Sequence, residues 1–314
     1  EGQSLVTATV EFSPLVPALS GKTRSEGDAV KSINSLCVLF YDADGNLAYH
    51  RPLTAGGTSG VPDTYVVTDS ARVSDTESVT PHADLTMSVP YGRYYIYVVA
   101  NMGDLSGYAD RIKTVSGLKS LPLRWNSDDI SANGQMLGHF CDDKTIEDTA
   151  PLLTIDKKNT TFHSWIRRAA SKVTVAYDGS KLEEGVFIYL KSVQIKDIPL
   201  NCPLGDSNEP GENDRLIPDG ETITYGTGTN YDEFWPARIT KGRAYYPYDK
   251  DTYGLSADAH TEKAEALYFY ENMQGEGESK KQDWKDPGHI TYPEGNDPSK
   301  PGFKDNKKYG TYIE

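Results

Sequence analysis

Apolar and polar residues alternate along this chain with the period of β-strands, and helix signals are weak throughout. The densest run is Val89 to Met102, Val-Pro-Tyr-Gly-Arg-Tyr-Tyr-Ile-Tyr-Val-Val-Ala-Asn-Met. Successive side chains of a strand point to opposite faces. Tyr94, Ile96 and Val98 therefore share one face, and Tyr95, Tyr97 and Val99 the other. Both faces are largely apolar, which predicts a strand packed on both sides. Leu5 to Phe12 reads as a first strand, with Val6, Ala8, Val10 and Phe12 facing one way.

Other segments follow the same rule. Ile33 to Tyr41 is a strongly apolar strand, closed by the turn Asp42-Ala-Asp-Gly-Asn46, after which Leu47 to Tyr49 resumes the sheet. Tyr65 to Thr68, Asp84 to Val89 and Gln135 to Phe140 are further strand expectations, Leu118 to Trp125 reads as a short strand or a helical turn, and Pro151 to Ile155 closes this first unit. Residues 20–28, Ser-Gly-Lys-Thr-Arg-Ser-Glu-Gly-Asp, and the Gly/Thr/Ser-rich residues 54–64 read as loops. Thr160 to Tyr177 reads as one long strand-like segment, and a domain boundary is expected just before it, giving domains 1–159 and 160–314. In the second domain Gly185 to Ile198, Glu221 to Tyr225 and Ala266 to Tyr270 read as strands. Residues 201–219 read as a polar loop and 276–308 as a long surface excursion. Thr311-Tyr-Ile-Glu314 enters strand pattern with no turn after it. That implies a second sandwich incomplete within this sequence, its pairing supplied by lost strands or by another chain. Exposed strand edges are satisfied by strand addition.

Length and composition support the pattern. At 314 residues the chain exceeds one sandwich domain, which takes roughly 100 residues. Two all-β domains with long loops are expected. Gly 28 and Pro 18 imply many turns, and Tyr 21 against Phe 8 favours half-buried faces and contact surfaces. A net charge of -14 counts against nucleic acid and anionic membranes as partners. No apolar run reaches the roughly 18 residues of a membrane-spanning helix. Glu1-Gly2-Gln3-Ser4 has neither the basic nor the apolar region of a signal peptide, so any export signal is expected to have been removed or never present.

Candidate chemistry is sparse. Cys37 sits in an apolar run and reads as a core thiol, whereas Cys141 and Cys202 sit in loop-like contexts and their pairing is left open. Asp42-Ala-Asp-Gly-Asn46 begins like a calcium loop, but Gly falls at position 4 and Leu53 at position 12, so a turn is the reading. The histidines form no tight pair and no HExxH, so no metal is expected. His139 with Cys141 lacks a base-orienting partner. No GxSxG, P-loop or GxGxxG occurs, and no cofactor and no enzymatic activity are expected.

Several motifs converge in order. Lys22-Thr-Arg-Ser25 follows the first strand. Ile33 to Phe40 with Tyr41-Asp-Ala-Asp-Gly-Asn-Leu47 resembles the strand and turn of the Bacteroides-type (type V) fimbrillins. Pro90 to Asn101 is similar to their "pGkY.i.vvaN" strand, and Ile166-Arg-Arg-Ala-Ala-Ser-Lys-Val-Thr-Val175 to the segment that opens their second domain. Tyr268-Phe-Tyr-Glu-Asn-Met-Gln-Gly275 resembles their late "yy.EN.qg" strand.

The resemblance implies two tandem transthyretin-like Greek-key β-sandwich domains. It implies a cell-surface pilus subunit, exported through the outer membrane as a lipoprotein precursor and supporting adhesion. It further implies trimming by a trypsin-like protease between Arg24 and Ser25, loss of the strand bearing Val6, Ala8, Val10 and Phe12, and replacement by a strand from another fimbrial subunit. The sequence departs from the family by ending where its last strands should begin. The alternative is a surface glycan-binding lipoprotein or a tip adhesin. Phe234, Trp235, Tyr245 and Tyr246 are then the candidate aromatics for a host glycan or protein receptor, against the plainer reading of a core layer with interface tyrosines.

Overall fold

Alternation of apolar residues becomes strand after strand in a computed structural model of the chain. The structure describes residues 2–12, 33–56, 61–68, 71–72, 78–79, 82–126, 134–173, 177–179, 181–210, 216–224, 238–239, 241, 244–246, 260–261, 267–272, 281–282, 290–291 and 311–314. Two units are present: Glu1–Ala170 with Pro203–Asp206, and Ser171–Cys202 with Ser207–Glu314. Among the described residues the only α-helix is Val115–Lys119, capped by the Thr114 side chain, which accepts from the Gly117 amide at 3.0 Å.

The first unit contains β1 (Gln3–Phe12), β2 (Leu36–Tyr41), β3 (Leu47–Pro52), β4 (Thr54–Ala55), β5 (Thr64–Thr68), β6 (Ala71–Arg72), β7 (Ser78–Val79), β8 (His82–Pro90), β9 (Gly92–Ala100), β10 (Pro122–Arg124), β11 (Met136–Cys141), β12 (Leu153–Ile155) and β13 (Asn159–Arg168). Ten of these pair in the order β3-β2-β9-β11-β13-β1-β8-β5-β4, with β12 also on β9. Only Tyr91 separates β8 from β9, yet the two are not paired. The chain therefore turns a corner at Pro90-Tyr91-Gly92, from one layer of a sandwich to the other. Leu85 and Met87 from one layer meet Val38, Phe40, Ile96, Val98, Phe140 and Phe162 from the other in a single core, with Val6 and Val10 of β1 at the join.

The doubly apolar β9 is buried on both faces, as its sequence predicts. Tyr94, Ile96 and Val98 join that core. On the opposite side Tyr97 and Val99 are also buried, together with Cys37, Leu39 and Tyr41 of β2. The segment 104–123 covers this second face. The Tyr41 hydroxyl donates to the Ile112 carbonyl at 2.9 Å, and Leu105, Ile112, Leu118, Leu121 and Leu123 are buried. Residues 203–206 extend the cover, with the Leu204 amide donating to the Leu121 carbonyl at 2.9 Å.

Several expectations change. The segment from residue 160 does not open the second unit, because β13 pairs with β1 and β11; the division falls between Ala170 and Ser171. The long strand expected there also breaks, with a bend at Ala169 before a short strand Ala170–Val173. Residues 201–219 are not all loop, since Asn201–Pro203 and the start of Leu216–Thr224 are strands. Within 276–308, Lys281–Gln282 pairs with Ile290–Thr291. Cys141 and Cys202 are buried on strands rather than in loops, and no disulfide joins any two of the three cysteines. The Asp42 turn is as expected. The Asp42 carboxylate accepts from the Asp44 and Asn46 amides at 3.0 and 2.9 Å, and Gly45 adopts φ of +79°.

In the second unit, Ser192–Pro199 pairs antiparallel with Leu216–Thr224 on one side and with Tyr312–Ile313 on the other. Its buried strand residues include Val193, Ile195, Ile198, Cys202, Ile223, Leu267 and Tyr270. The terminal strand expected at Thr311 to Glu314 thus has a partner on one edge. No helix of the described residues is long and apolar enough to cross a membrane.

Candidate functional site

β1 is the strand on which the first unit closes. It runs parallel to β13, from Leu5 opposite Asn159 to Phe12 opposite Ile166. On its other side it runs antiparallel to β8, from Gln3 opposite Pro90 to Glu11 opposite His82. β1 is therefore interior to the sheet, and it joins the β2-β9-β11-β13 layer to the β8-β5 layer. Three strands, β13, β11 and β9, stand between it and its sequence neighbour β2. Among the described residues no hairpin joins β1 to either of its partners, and residues 13–35 lead from it to β2.

The core-facing residues named from the sequence are all buried. Val6 and Val10 are 0% exposed, Ala8 4% and Phe12 8%. Val6 lies between Thr160 and Met87, Ala8 between Phe162 and Leu85, and Val10 between Ser164 and Ala83. Burial of the three large side chains contributes about 4.5–9 kcal/mol at roughly 1.5–3 kcal/mol each, with Ala8 adding little.

The opposite face of β1 is polar and stitched on both sides. Thr7 Oγ1 lies 3.1 Å from Thr161 Oγ1, and the Thr9 hydroxyl donates to Asp84 Oδ1 at 3.0 Å. Near its end Glu11 meets a cluster that sequence reasoning did not foresee. Glu11 Oε2 lies 2.5 Å from His163 Nε2 and 3.2 Å from Lys144 Nζ. The His163 side chain is 6% exposed, and its ring packs edge-on to Trp165 with centroids 4.7 Å apart. The Trp165 indole donates to the Lys144 carbonyl at 2.9 Å, which holds the segment bearing Lys144 against β13. Burial pushes the Glu11 carboxyl up, but the His163 hydrogen bond and the Lys144 ammonium outweigh it and hold the carboxyl below its ordinary range. Glu11 and His163 are 152 positions apart, and no local pattern links them.

Removal of β1 would leave a slot one strand wide. β13 would keep β11, and β8 would keep β5, so every other strand retains a partner. Ten residues at about 3.3 Å per residue make the slot roughly 33 Å long. Its walls would present unpaired N–H and C=O groups on both sides, with apolar side chains at the base.

The remaining candidates divide. Arg24 and Ser25 lie outside the described residues, as do Phe234 and Trp235. Tyr245 and Tyr246 lie on the short strand Ala244–Tyr246, Tyr245 opposite Tyr177, and their side chains are outside the described set. His139 and Cys141 share a strand face, and the Cys141 thiol is pushed up to about 11 by burial and by Glu147, Asp143 and Asp142, so it stays protonated near neutral pH. No group of three or more His, Cys, Asp or Glu side chains among the described residues is placed to hold a metal. A cleft of about 480 Å³ is lined by Asn101, Tyr108, Arg124, Trp125 and Gln135, among others.

The fold and this site define an all-β protein of sandwich class, with an N-terminal strand inserted between two layers and held by burial, two ladders and one ion cluster. No family model matches the chain, and no curated protein matches it in sequence. Among solved structures it is similar to a candidate cell adhesion protein from Parabacteroides distasonis, with 12% identity, a TM-score of 0.47, and coverage of 87% of this chain and 72% of that one. A fimbrial assembly protein from Parabacteroides distasonis is similar at 13% identity and a TM-score of 0.40, covering 72% of this chain and 73% of that one. A C-terminally truncated tip fimbrial protein from Porphyromonas gingivalis is similar at 13% identity and a TM-score of 0.39, covering 73% of this chain and 65% of that one.

Proposed function

We propose that the chain is a structural subunit of a cell-surface fimbria, assembled by protease-triggered donor-strand exchange and supporting adhesion. The observation that carries this reading is the placement of β1. It is interior, it is not paired with β2, which follows it in the chain, and between the two lies the polar stretch 20–28, Ser-Gly-Lys-Thr-Arg-Ser-Glu-Gly-Asp. One cut in that stretch severs β1 from β2 and leaves the pairing among the other described strands of the sheet intact. The vacated slot then accepts a strand from a neighbouring subunit, whose main chain restores both ladders and whose alternate side chains refill the core. The ordered motifs of the sequence support the same assignment. In this reading the cut falls between Arg24 and Ser25, the precursor is a lipoprotein exported through the outer membrane, and the role is structural rather than catalytic.

Limited trypsin digestion of the native protein tests it. The expected product begins at Ser25, keeps its near-ultraviolet circular dichroism while the 1–24 fragment stays bound, and forms a ladder of oligomers once that fragment is displaced. A native chain that resists cutting at Arg24, or a cut chain that never assembles, would rule the mechanism out.

A further inference from the structure

The slot left by β1 has a chemical preference as well as a shape. Three cationic or potentially cationic groups from three separate elements surround the Glu11 position. These are His163 on β13, Lys144 in the segment after β11, and His82 on β8, directly opposite Glu11 in register. The acids nearby are otherwise engaged or set back. Asp84 lies 3.4 Å from His82 and accepts from Thr9, and Asp143 accepts from the Thr145 amide at 2.8 Å. Among the described residues His163 Nδ1 has no hydrogen-bond partner, so Glu11 is the one acceptor that this buried ring has. A strand that fills the slot with an apolar residue at this position reburies the imidazole with no partner on either nitrogen. A buried polar group left unpaired is costly.

We infer that the strand which replaces β1 carries a carboxylate side chain at the Glu11 position, beside the last apolar residue of its core-facing row. This inference rests on the strand-exchange reading above. It names its partner as an extended polypeptide segment with alternating apolar residues and one acid placed to meet His163 and Lys144. The requirement does not depend on strand direction, because a donor running either way can place one side chain there. Register follows from it: a slip of one residue puts the acid into the core and the apolar row onto the polar face.

The test uses the full chain cut within residues 20–28, briefly unfolded in denaturant and refolded with excess labelled peptide spanning residues 2–12. Four peptides compete: the native sequence and its Glu11→Gln, Glu11→Val and Val10→Asp variants. The native peptide is expected to be incorporated, Glu11→Gln about threefold less well and Glu11→Val about tenfold less well (a tenfold change being about 1.4 kcal/mol). Val10→Asp is expected to fail. In Lys144→Ala protein, where the substituted side chain is 69% exposed and folding is secure, the preference for Glu11 over Gln should shrink. Equal incorporation of the native, Gln and Val peptides overturns the carboxylate requirement and leaves strand exchange standing. Failure of the native peptide overturns strand exchange, and this inference with it.

Discussion

β9 and β1 are both interior strands of the same sheet, yet they are built for opposite fates. β9 buries both faces, pairs with β2, β11 and β12, and continues from β8 after a single residue. It cannot leave without taking the core apart. β1 buries one face, keeps a polar one, and is not paired with β2, which follows it in the chain. Its hold is strong, but it is made of contacts that a second strand of similar pattern can reproduce. Centrality in a sheet is therefore not the same as permanence. Connectivity and the number of buried faces decide which strand can be exchanged.

Charge placed in each strand sharpens the contrast most. Val98→Asp puts an unpaired carboxylate into the core from β9, at a cost of more than about 4 kcal/mol, and no folded first unit is expected. Val10→Asp in β1 should instead expel that strand and leave the β9 layer formed. Hydrogen exchange of the two proteins distinguishes the outcomes. Equal loss of protection at β2 and β9 in both would erase the distinction between the strands.

A smaller effect is expected at Gly138 on β11, where an added Cβ would lie 2.4 Å from the Trp165 carbonyl oxygen and 2.7 Å from Ser164 Oγ. Gly138→Ala must push β13 aside, and β13 is the parallel wall of the slot. A destabilisation of about 1–3 kcal/mol in urea unfolding is expected, with β1 amides exchanging earlier than in the unmodified protein. An unchanged urea midpoint would show that the wall yields without cost.

The smallest effect is pH-dependent. The Glu11 carboxyl is held below its ordinary value when folded. Its contribution is present in full above the unfolded value of about 4.3, and is lost as pH falls through the lower folded value. Acid should therefore loosen β1 before it disturbs β9. Glu11→Gln should flatten this part of the stability profile between pH 5 and pH 3, by about 1 kcal/mol. The same slope in both proteins would remove Glu11 from the latch.

Much of this was readable from residue order. The period of two in Leu5 to Phe12 identified the inward row Val6, Ala8, Val10 and Phe12, and the two apolar faces of Tyr94 to Val99 identified a strand covered on both sides. The Asp42 turn followed from its Asp, Gly and Asn. The domain boundary did not follow, because strand 159–168 looks alike whichever unit receives it. Its assignment comes from a parallel pairing with β1, set by residues some 150 positions away. Glu11 shows the same limit. On the page it is one acid on the polar side of a strand.

Local alternation and turn chemistry act over a few residues, so the order of amino acids was enough to specify strands, their inward faces and their punctuation. Which strand lies beside which, where the first unit ends, and that Glu11 finds His163 and Lys144 are outcomes of long-range closure. They arise from burying one common core and satisfying every ladder at once, a condition that no window along the chain contains.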